Sequence, residues 1–156
     1  MAVKPIPDGY PRVSPYLAVD GAADAIDFYV SVLGGTERMR MPGPDGRIGH
    51  AEVEFGDSVV MLADEFPEMG HKGPNSLGGT PISITLYVED CDKVIDAAVK
   101  KGATVLQAAE DRFYGDRAGM IEDPWGHHWS LMTHIEDVPP EEMGKRAAEA
   151  MKEMGS

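Results

Sequence analysis

Apolar and polar residues follow two patterns along the chain, and these predict strands and helices in a recurring order. Residues 12–20 form a short run rich in Val, Leu and Tyr with turn residues at its ends, which is typical of a strand. In residues 22–33 apolar side chains recur every three or four positions until Gly34 and Gly35 end the pattern, which indicates an amphipathic helix. Its predicted buried face consists of Ala22, Ala25, Ile26, Tyr29, Val32 and Leu33.

Three more strands are predicted to complete the first half of the chain. A Pro-Asp-Gly sequence at residues 44–46 favours a hairpin turn, because proline presets φ and glycine tolerates positive φ. A second tight turn is predicted at Gly56-Asp57. The resulting β-α-β-β-β module is predicted to span residues 12–64, after an N-terminal extension of residues 1–11. Its last three strands are predicted at residues 36–41, 48–55 and 58–63.

The same order recurs in the second half. Residues 65–80 are dense in Gly, Pro, Asn and Ser and have no period, so they are predicted to connect two modules. The second module is predicted over residues 81–135. An offset of 69 positions, as from Ser14 to Ser83, also superposes Leu17 on Leu86, which indicates a duplicated unit. The predicted elements are a strand at 81–89, a helix at 90–101 with Val94, Ile95, Ala98 and Val99 on one face, and strands at 103–109, 116–122 and 127–135.

The C-terminal tail, residues 136–156, is predicted to contain a helix over residues 139–154. Prolines stand at its start, acids in its first turn and lysines later, as helix capping and the helix dipole favour. Met143, Ala147, Ala150, Met151 and Met154 share one face, which is interpreted as a packing face on the same domain or on a partner.

Composition and charge restrict the class of protein. The 156 residues are 42% hydrophobic and 26% charged, which is ordinary for a folded soluble protein. A net charge of −13 disfavours nucleic-acid binding, because that binding depends on Lys and Arg neutralising phosphates. No apolar run reaches the roughly 20 residues of a membrane helix, and the N-terminus has no signal-like apolar region. With Cys91 as the only cysteine, a cytoplasmic location is expected.

Three sequence motifs resemble a known family. PYLAVDGAADAIDFY, LYVEDCDKVIDAAVKKGA and DPWGHHW are similar to those of the vicinal oxygen chelate superfamily, the glyoxalase, bleomycin resistance and dioxygenase group, over about residues 12–135. The resemblance implies an α+β fold of two tandem βαβββ modules, each a curved mixed sheet with its helix outside, that together form a cleft. In the enzymes of that family the cleft holds one divalent metal, bound by residues of the first and fourth strands of each half.

The resemblance places those four ligand positions at Ser14, Met61, Ser83 and Ser130. A slip of one residue at Met61 would present Val60 or Leu62 instead, and a slip of three would present Asp64. A neutral hydroxyl or a thioether is a poor ligand for a divalent metal beside imidazole or carboxylate. We therefore predict no bound metal and no cofactor.

Strand alternation extends the predicted site. The side chains expected to face the cleft beside the four metal positions of the family are Tyr16, Thr85, Tyr87, His128 and Met132. Trp129 is expected on the opposite face, towards the helix. The loop of residues 110–116 carries Tyr114 and is interpreted either as closing over the site or as an ordinary hairpin loop. The predicted ligand-binding residues are Ser14, Tyr16, His50, Met61, Ser83, Thr85, Tyr87, Tyr114, His128 and Ser130.

His50, Glu52 and Glu54 share one face of a strand. This pattern is usual for the polar face of an antiparallel sheet, and a relocated metal site is the alternative interpretation. The acidic residues are expected to favour a cationic or neutral aromatic ligand, unless Arg12, Arg112 or Arg117 binds a carboxylate at the rim.

The sequence therefore predicts a homodimeric, glyoxalase- and bleomycin-resistance-like protein that binds a small molecule in its cleft without the family's metal, with no nucleic-acid or membrane partner. One alternative is a metal-dependent lyase, isomerase or dioxygenase-type enzyme with a relocated metal, or one that uses His128 as a base. Another is an interaction module without a ligand.

Overall fold

A computed structural model of the chain describes residues 2–155; Met1 and Ser156, the outermost residues of the predicted extension and tail, lie outside the described residues. The chain divides into two units, Met1–Thr80 and Pro81–Ser156. Each unit contains one βαβββ module with a four-stranded mixed sheet, and a helix follows the second module at the C-terminus. The predicted α+β fold with tandem modules is therefore confirmed.

The first unit contains a mixed sheet with strand order β1-β4-β3-β2. β1 runs parallel to β4, and the other neighbouring strands are antiparallel. The segment after the sheet contains a 3-10 turn, Pro67–Met69, and one short helix. The elements are β1 (Tyr16–Val19), α1 (Ala22–Ser31), β2 (Thr36–Pro42), β3 (Ile48–Phe55), β4 (Ser58–Asp64) and α2 (Pro74–Leu77).

The second unit repeats this topology with strand order β5-β8-β7-β6. Its first strand is again parallel to its fourth, and the remaining pairs are antiparallel. The elements are β5 (Ser83–Tyr87), α3 (Cys91–Lys100), β6 (Thr104–Asp111), β7 (Asp116–Glu122), β8 (His128–His134) and α4 (Pro140–Met154).

The first strand is shorter than predicted, because β1 begins at Tyr16 and not at residue 12. Pro11 and Pro15 have no backbone N–H, so this stretch cannot donate regular ladder hydrogen bonds. The carbonyl of Pro15 still accepts a hydrogen bond from the backbone N–H of Met61, at 2.9 Å. Ser14 therefore lies just ahead of the sheet rather than within it.

The core of the first unit lies between α1 and one face of its sheet. All six residues of the predicted α1 face are at most 9% exposed, and Phe28, which the pattern did not single out, is buried with them. Val53 of β3 and Leu62 of β4 are fully buried on the sheet side. Burial of such side chains stabilises each by about 1.5–3 kcal/mol relative to exposure.

The second unit has an equivalent core under α3. Trp129 is fully buried, in agreement with its expected position on the helix side, and Cys91, Ile95 and Ala98 are buried on α3. Val99 is 46% exposed, so the apolar face predicted from spacing is wider than the face that packs. The side chain of Asp90 caps α3 by accepting a hydrogen bond from the Lys93 N–H at 3.2 Å.

A buried aspartate joins three segments of the first module. The carboxylate of Asp64 accepts hydrogen bonds from the backbone N–H groups of Gly21 and Ala22, at 3.0 and 2.8 Å, and from that of Ile48, at 2.7 Å. The first two groups lie at the start of α1, where N–H groups have no partner within the helix. Gly21 is well suited to this entry because its φ of 110° is costly for other residues.

The C-terminal helix α4 begins with Pro140 followed by two acidic residues, as predicted. On its predicted apolar face Met143, Ala147 and Ala150 are half-buried, whereas Met151 and Met154 are 73% and 86% exposed. Within residues 2–155 no helix has the length and apolar character needed to cross a lipid bilayer.

Candidate ligand-binding site

The register of the first sheet places three polar or polarisable side chains in one row. Tyr16 of β1 lies opposite Met61 of β4, and Met61 lies opposite Glu52 of β3. Val60 and Leu62 are buried on the other face, towards α1. We call the face that carries Tyr16, Glu52 and Met61 the open face of the first sheet. Met61, and not its neighbours, therefore lies on the same face as Tyr16.

Tyr16, His50 and Glu52 form a continuous hydrogen-bonded line on this open face. The Tyr16 hydroxyl lies 2.9 Å from His50 Nδ1, and His50 Nε2 lies 2.8 Å from Glu52 Oε2. Glu52 is only 3% exposed although it is a carboxylate. Buried charges in proteins are normally paired and hydrogen-bonded, and Glu52 follows this rule.

The N-terminal extension completes the surroundings of Glu52. The Tyr10 hydroxyl donates to the Glu52 carboxylate, with distances of 2.9 and 3.2 Å to its two oxygens. The Arg38 guanidinium lies over the Tyr10 ring at 4.6 Å, and Arg38 Nε is 3.7 Å from Glu52 Oε1. Sequence reasoning missed Tyr10, because the extension has no periodic pattern that would mark it as packed.

The pKa values along this line are shifted by their neighbours. Burial alone would raise the pKa of Glu52, but the hydrogen bonds from His50 and Tyr10, with the charge of Arg38, hold that pKa below its usual value. Burial, followed by the negative charge of Glu52, raises the pKa of Tyr16. Glu52 is therefore ionised and Tyr16 a neutral phenol near neutral pH.

A cavity of about 610 Å³ adjoins Tyr16 within the first unit. Its outer wall comes from the connection that follows β4, where Phe66 and His71 exchange backbone hydrogen bonds of 2.8 and 3.1 Å. The Arg47 guanidinium lies 4.1 Å from the centre of the Phe66 ring. We call this cavity the first-module pocket. It is lined by Tyr16, Gly49, Ala63, Phe66, Met69 and His71.

The walls of the first-module pocket are mainly apolar with two polar groups. The Tyr16 ring packs against His50 with centroids 5.5 Å apart and edge-on against His71 at 5.8 Å. His71 Nε2 is buried without a hydrogen-bond partner, as is the hydroxyl of Ser14. Sequence reasoning missed Phe66, Met69 and His71, because they lie in a segment without periodicity.

The second sheet brings together its own set of predicted site residues. Ser83 lies opposite His128, Thr85 opposite Ser130, and Tyr87 opposite Met132. The pair Thr85 and Ser130 corresponds to Tyr16 and Met61 at the offset of 69 found in the sequence. The Tyr87 hydroxyl donates to Asp116 at 2.7 Å, and His128 Nε2 lies 3.1 Å from Glu122. The side chains of Tyr87 and His128 are therefore both hydrogen-bonded to carboxylates of the second unit.

A second cavity, of about 510 Å³, lies between this sheet and α4. Tyr114 and Ser130 both line it, so the structure brings these two predicted residues together. Residues Ala150, Glu153 and Met154 of α4 form part of the wall. The loop with Tyr114 is a hairpin between β6 and β7, in which the Phe113 and Tyr114 rings meet edge to face at 5.2 Å. Arg117, which the sequence offered as a partner for a ligand carboxylate, forms ion pairs with Asp92 and Asp111 at 2.7 and 3.0 Å.

The residues that the family resemblance places at the metal positions are poor ligands for a divalent metal. In the first unit Ser14 and Met61 offer a hydroxyl and a thioether, and in the second unit Ser83 and Ser130 offer two hydroxyls. Within residues 2–155 there is no group of three or more His, Cys, Asp or Glu side chains able to hold a metal ion. His50 and Glu52 are a pair without a third such ligand in that range.

Comparison with known proteins agrees with this fold. Residues 11–131 match the family model of the glyoxalase/bleomycin resistance protein/dioxygenase superfamily. An uncharacterized protein of Mycobacterium tuberculosis H37Rv is 48% identical over 136 residues, which cover 85% of this chain and 80% of the relative. A lactoylglutathione lyase of Neisseria meningitidis serogroup B is 27% identical over 112 residues, covering 71% of this chain and 81% of the lyase.

Two solved structures illustrate the structural similarity. Protein PA1353 from Pseudomonas aeruginosa has a TM-score of 0.68 and 24% identity, covering 81% of this chain and 99% of that chain. TnmS3, an antibiotic binding protein from Streptomyces sp. CB03234, has a TM-score of 0.56 and 26% identity, covering 78% of this chain and 93% of that chain.

Proposed function

The chain belongs to the glyoxalase/bleomycin resistance protein/dioxygenase superfamily, and from this we propose that it binds a small organic molecule without a divalent metal. The observation that carries the proposal is the first-module pocket. Its volume of about 610 Å³ lies within the range of about 300–1,000 Å³ usual for small-molecule sites. Its apolar walls with two polar groups, Tyr16 and His71, match the usual composition of such sites.

Two further points support ligand binding over metal-dependent catalysis. The predicted metal positions carry hydroxyl and thioether groups, which are weak ligands for the metals of this family. TnmS3, to which the chain is 26% identical, is an antibiotic binding protein, so a related fold serves ligand capture. We propose that this protein likewise captures an aromatic ligand.

Calorimetric titration of metal-free protein with a panel of neutral aromatic compounds tests the proposal. Ala63 is buried and lines the pocket, so Ala63→Leu is expected to fill it and weaken binding by about tenfold or more. Leu77→Ala is the matched control, because Leu77 is 66% exposed and does not line the pocket. Retention of about one equivalent of zinc, nickel, iron or manganese, with loss of binding after its removal, would contradict the proposal.

The alternative function is a lyase or isomerase of the glyoxalase type. The 27% identity to a lactoylglutathione lyase favours this candidate. His128 on β8 is its proposed base, although it is paired with Glu122 at 3.1 Å. Turnover of a glutathione hemithioacetal by the purified protein, lost in His128→Ala, would support the enzyme. Absence of turnover with and without added metal would exclude this reaction.

We also propose a homodimer in the cytoplasm. The family resemblance implies that two copies pair. The exposed Met151 and Met154 on α4 provide apolar surface for such a contact. The sole cysteine, Cys91, is a buried free thiol, which suits a reducing compartment. Light scattering at micromolar concentration is expected to give twice the mass of the chain, and a monomeric mass would contradict the dimer.

A further inference from the structure

We propose that the first-module pocket selects neutral aromatic ligands that donate a hydrogen bond, such as phenols, over ethers and carboxylates of the same shape. This inference rests on the proposed function and names the ligand class of the same pocket. The hydrogen-bonded line of Tyr16, His50 and Glu52 carries it, because the direction of each hydrogen bond in that line determines what the Tyr16 oxygen offers to a ligand.

The donor and the acceptor of each hydrogen bond in the line follow from the charge on Glu52. Its carboxylate is buried and ionised, so it can only accept hydrogen bonds. Tyr10 donates to it from the N-terminal extension, and His50 Nε2 lies 2.8 Å away. Because two acceptors at this distance would repel each other, His50 Nε2 must carry the hydrogen.

The hydrogen bond between Tyr16 and His50 depends on which His50 nitrogen carries hydrogen. In a neutral imidazole with hydrogen on Nε2, the Nδ1 atom has a lone pair and accepts. With His50 in this tautomer, the Tyr16 hydroxyl is the donor of the 2.9 Å hydrogen bond, and its hydrogen points to His50 Nδ1. What remains on the Tyr16 oxygen is its acceptor lone pairs.

Tyr16 is accessible from the pocket. The residue lines the cavity and is 47% exposed, so a bound molecule can contact it. A ligand hydroxyl or N–H group can donate to the oxygen, whereas an ether oxygen would place one acceptor against another. A polar group that is excluded from water without a hydrogen-bond partner is unfavourable, and this cost is expected to discriminate between such ligands by about tenfold.

The rest of the wall disfavours an anion. None of the six lining residues is Lys or Arg, and the nearby Arg47 is paired with Asp45 and Glu68, at 2.8 and 3.0 Å. Glu52 adds a negative charge at the end of the line from Tyr16. A carboxylate would therefore lose its hydration without a compensating cation. His71, whose Nε2 is buried without a hydrogen-bond partner, offers a further polar contact.

Calorimetric titration with 2-naphthol, 2-methoxynaphthalene and 2-naphthoate tests this selection. At about pH 7.5 we expect 2-naphthol to bind about tenfold tighter than the ether and tighter still than the anion. Tyr16→Phe is expected to bring naphthol and ether within about twofold of each other. Leu77→Ala is expected to keep the wild-type preference.

Nitrogen-15 NMR of the histidine side chains provides a second readout that does not depend on ligand affinity. We expect His50 to be the neutral tautomer with hydrogen on Nε2, with His50→Gln used to assign its signals. In Glu52→Gln the charge that enforces this tautomer is lost, so we expect a mixture of tautomers and a smaller preference for naphthol.

The possible outcomes separate the two proposals. Equal binding of naphthol and ether to the wild-type protein overturns the selection and leaves ligand binding standing. Failure of all three probes to bind, when other neutral aromatic compounds do bind, likewise overturns only the selection. Failure of every aromatic compound overturns both proposals, and hydrogen on His50 Nδ1, whether the ring is neutral or doubly protonated, overturns the selection by itself.

Discussion

The indole nitrogen of Trp129 donates a hydrogen bond of 3.0 Å to the carboxylate of Asp123, and both residues are buried. The other oxygen of Asp123 accepts from the backbone N–H groups of Trp125 and His127, at 3.0 and 2.9 Å. One carboxylate thus holds the Asp-Pro-Trp-Gly turn together and anchors the largest core side chain of the second module. The Asp-Pro-Trp-Gly turn, part of one of the motifs that resemble the family, therefore stabilises the core of this module.

Replacement of Asp123 is expected to destabilise the protein strongly. Asp123→Ala removes the acceptor of three hydrogen bonds, two of them buried, so we expect the free energy of unfolding to fall by about 2–4 kcal/mol. Asp123→Asn keeps a carbonyl acceptor and is expected to lose less. Urea denaturation followed by Trp fluorescence measures both. A loss below about 1 kcal/mol in the alanine variant would contradict the structural role.

A side chain at Gly115 is expected to destabilise the protein. Its φ is +97°, and a Cβ atom there would meet the carbonyl oxygen of Glu136. Gly46 has a similar φ of +85° with no neighbouring atom within 4 Å, so it isolates the cost of backbone conformation. We expect Gly46→Ala to cost about 1 kcal/mol and Gly115→Ala clearly more, as measured by thermal unfolding. Equal losses would show that the contact with Glu136 relaxes freely.

Stability is expected to depend on pH through His134. Hydrogen bonds with Asp137 and then with Asp116, both at 2.7 Å, raise the pKa of His134 above its ordinary value of 6.5. A raised pKa in the folded state means that the stabilisation is fully present below about pH 6.5 and is lost as the pH rises through the folded pKa.

The variant His134→Gln provides the measurement. The difference in unfolding free energy between wild type and variant is expected to be larger at about pH 5.5 than at about pH 9, from urea denaturation at both values. A difference that does not change with pH, or that grows as pH rises, would show that protonated His134 does not stabilise the fold.

Ser14 is expected to be dispensable for stability. Its buried hydroxyl has no hydrogen-bond partner, and such a group costs about 1–3 kcal/mol. Ser14→Ala is therefore expected to leave the unfolding free energy unchanged or to raise it by up to about 1 kcal/mol. A loss of more than about 1 kcal/mol would reveal a hydrogen bond of Ser14 in solution. The same variant, titrated with the aromatic panel, reports whether Ser14 contacts the ligand.

The sequence alone determined the element order, the buried face of α1 and the superfamily. Apolar spacing in residues 22–33 marked the six residues of α1 that are buried, because amphipathic burial repeats with the period of the helix itself. The offset of 69 that aligned Ser14 with Ser83 also matches the strand register in both sheets. Alternation along β3 placed His50 and Glu52 on one face, where they are hydrogen-bonded.

Only the tertiary structure decided the surroundings of the candidate site. Tyr10 donates to Glu52 across 42 positions of the chain, and the aperiodic segment after β4 places Phe66 and His71 beside Tyr16. In the second unit, residues of α4 share the wall of a cavity with Ser130. Local periodicity reports which side of an element is buried but not which distant segment covers the opposite side. That choice depends on hydrogen bonds and packing between segments far apart in sequence, and these form only once the chain has folded.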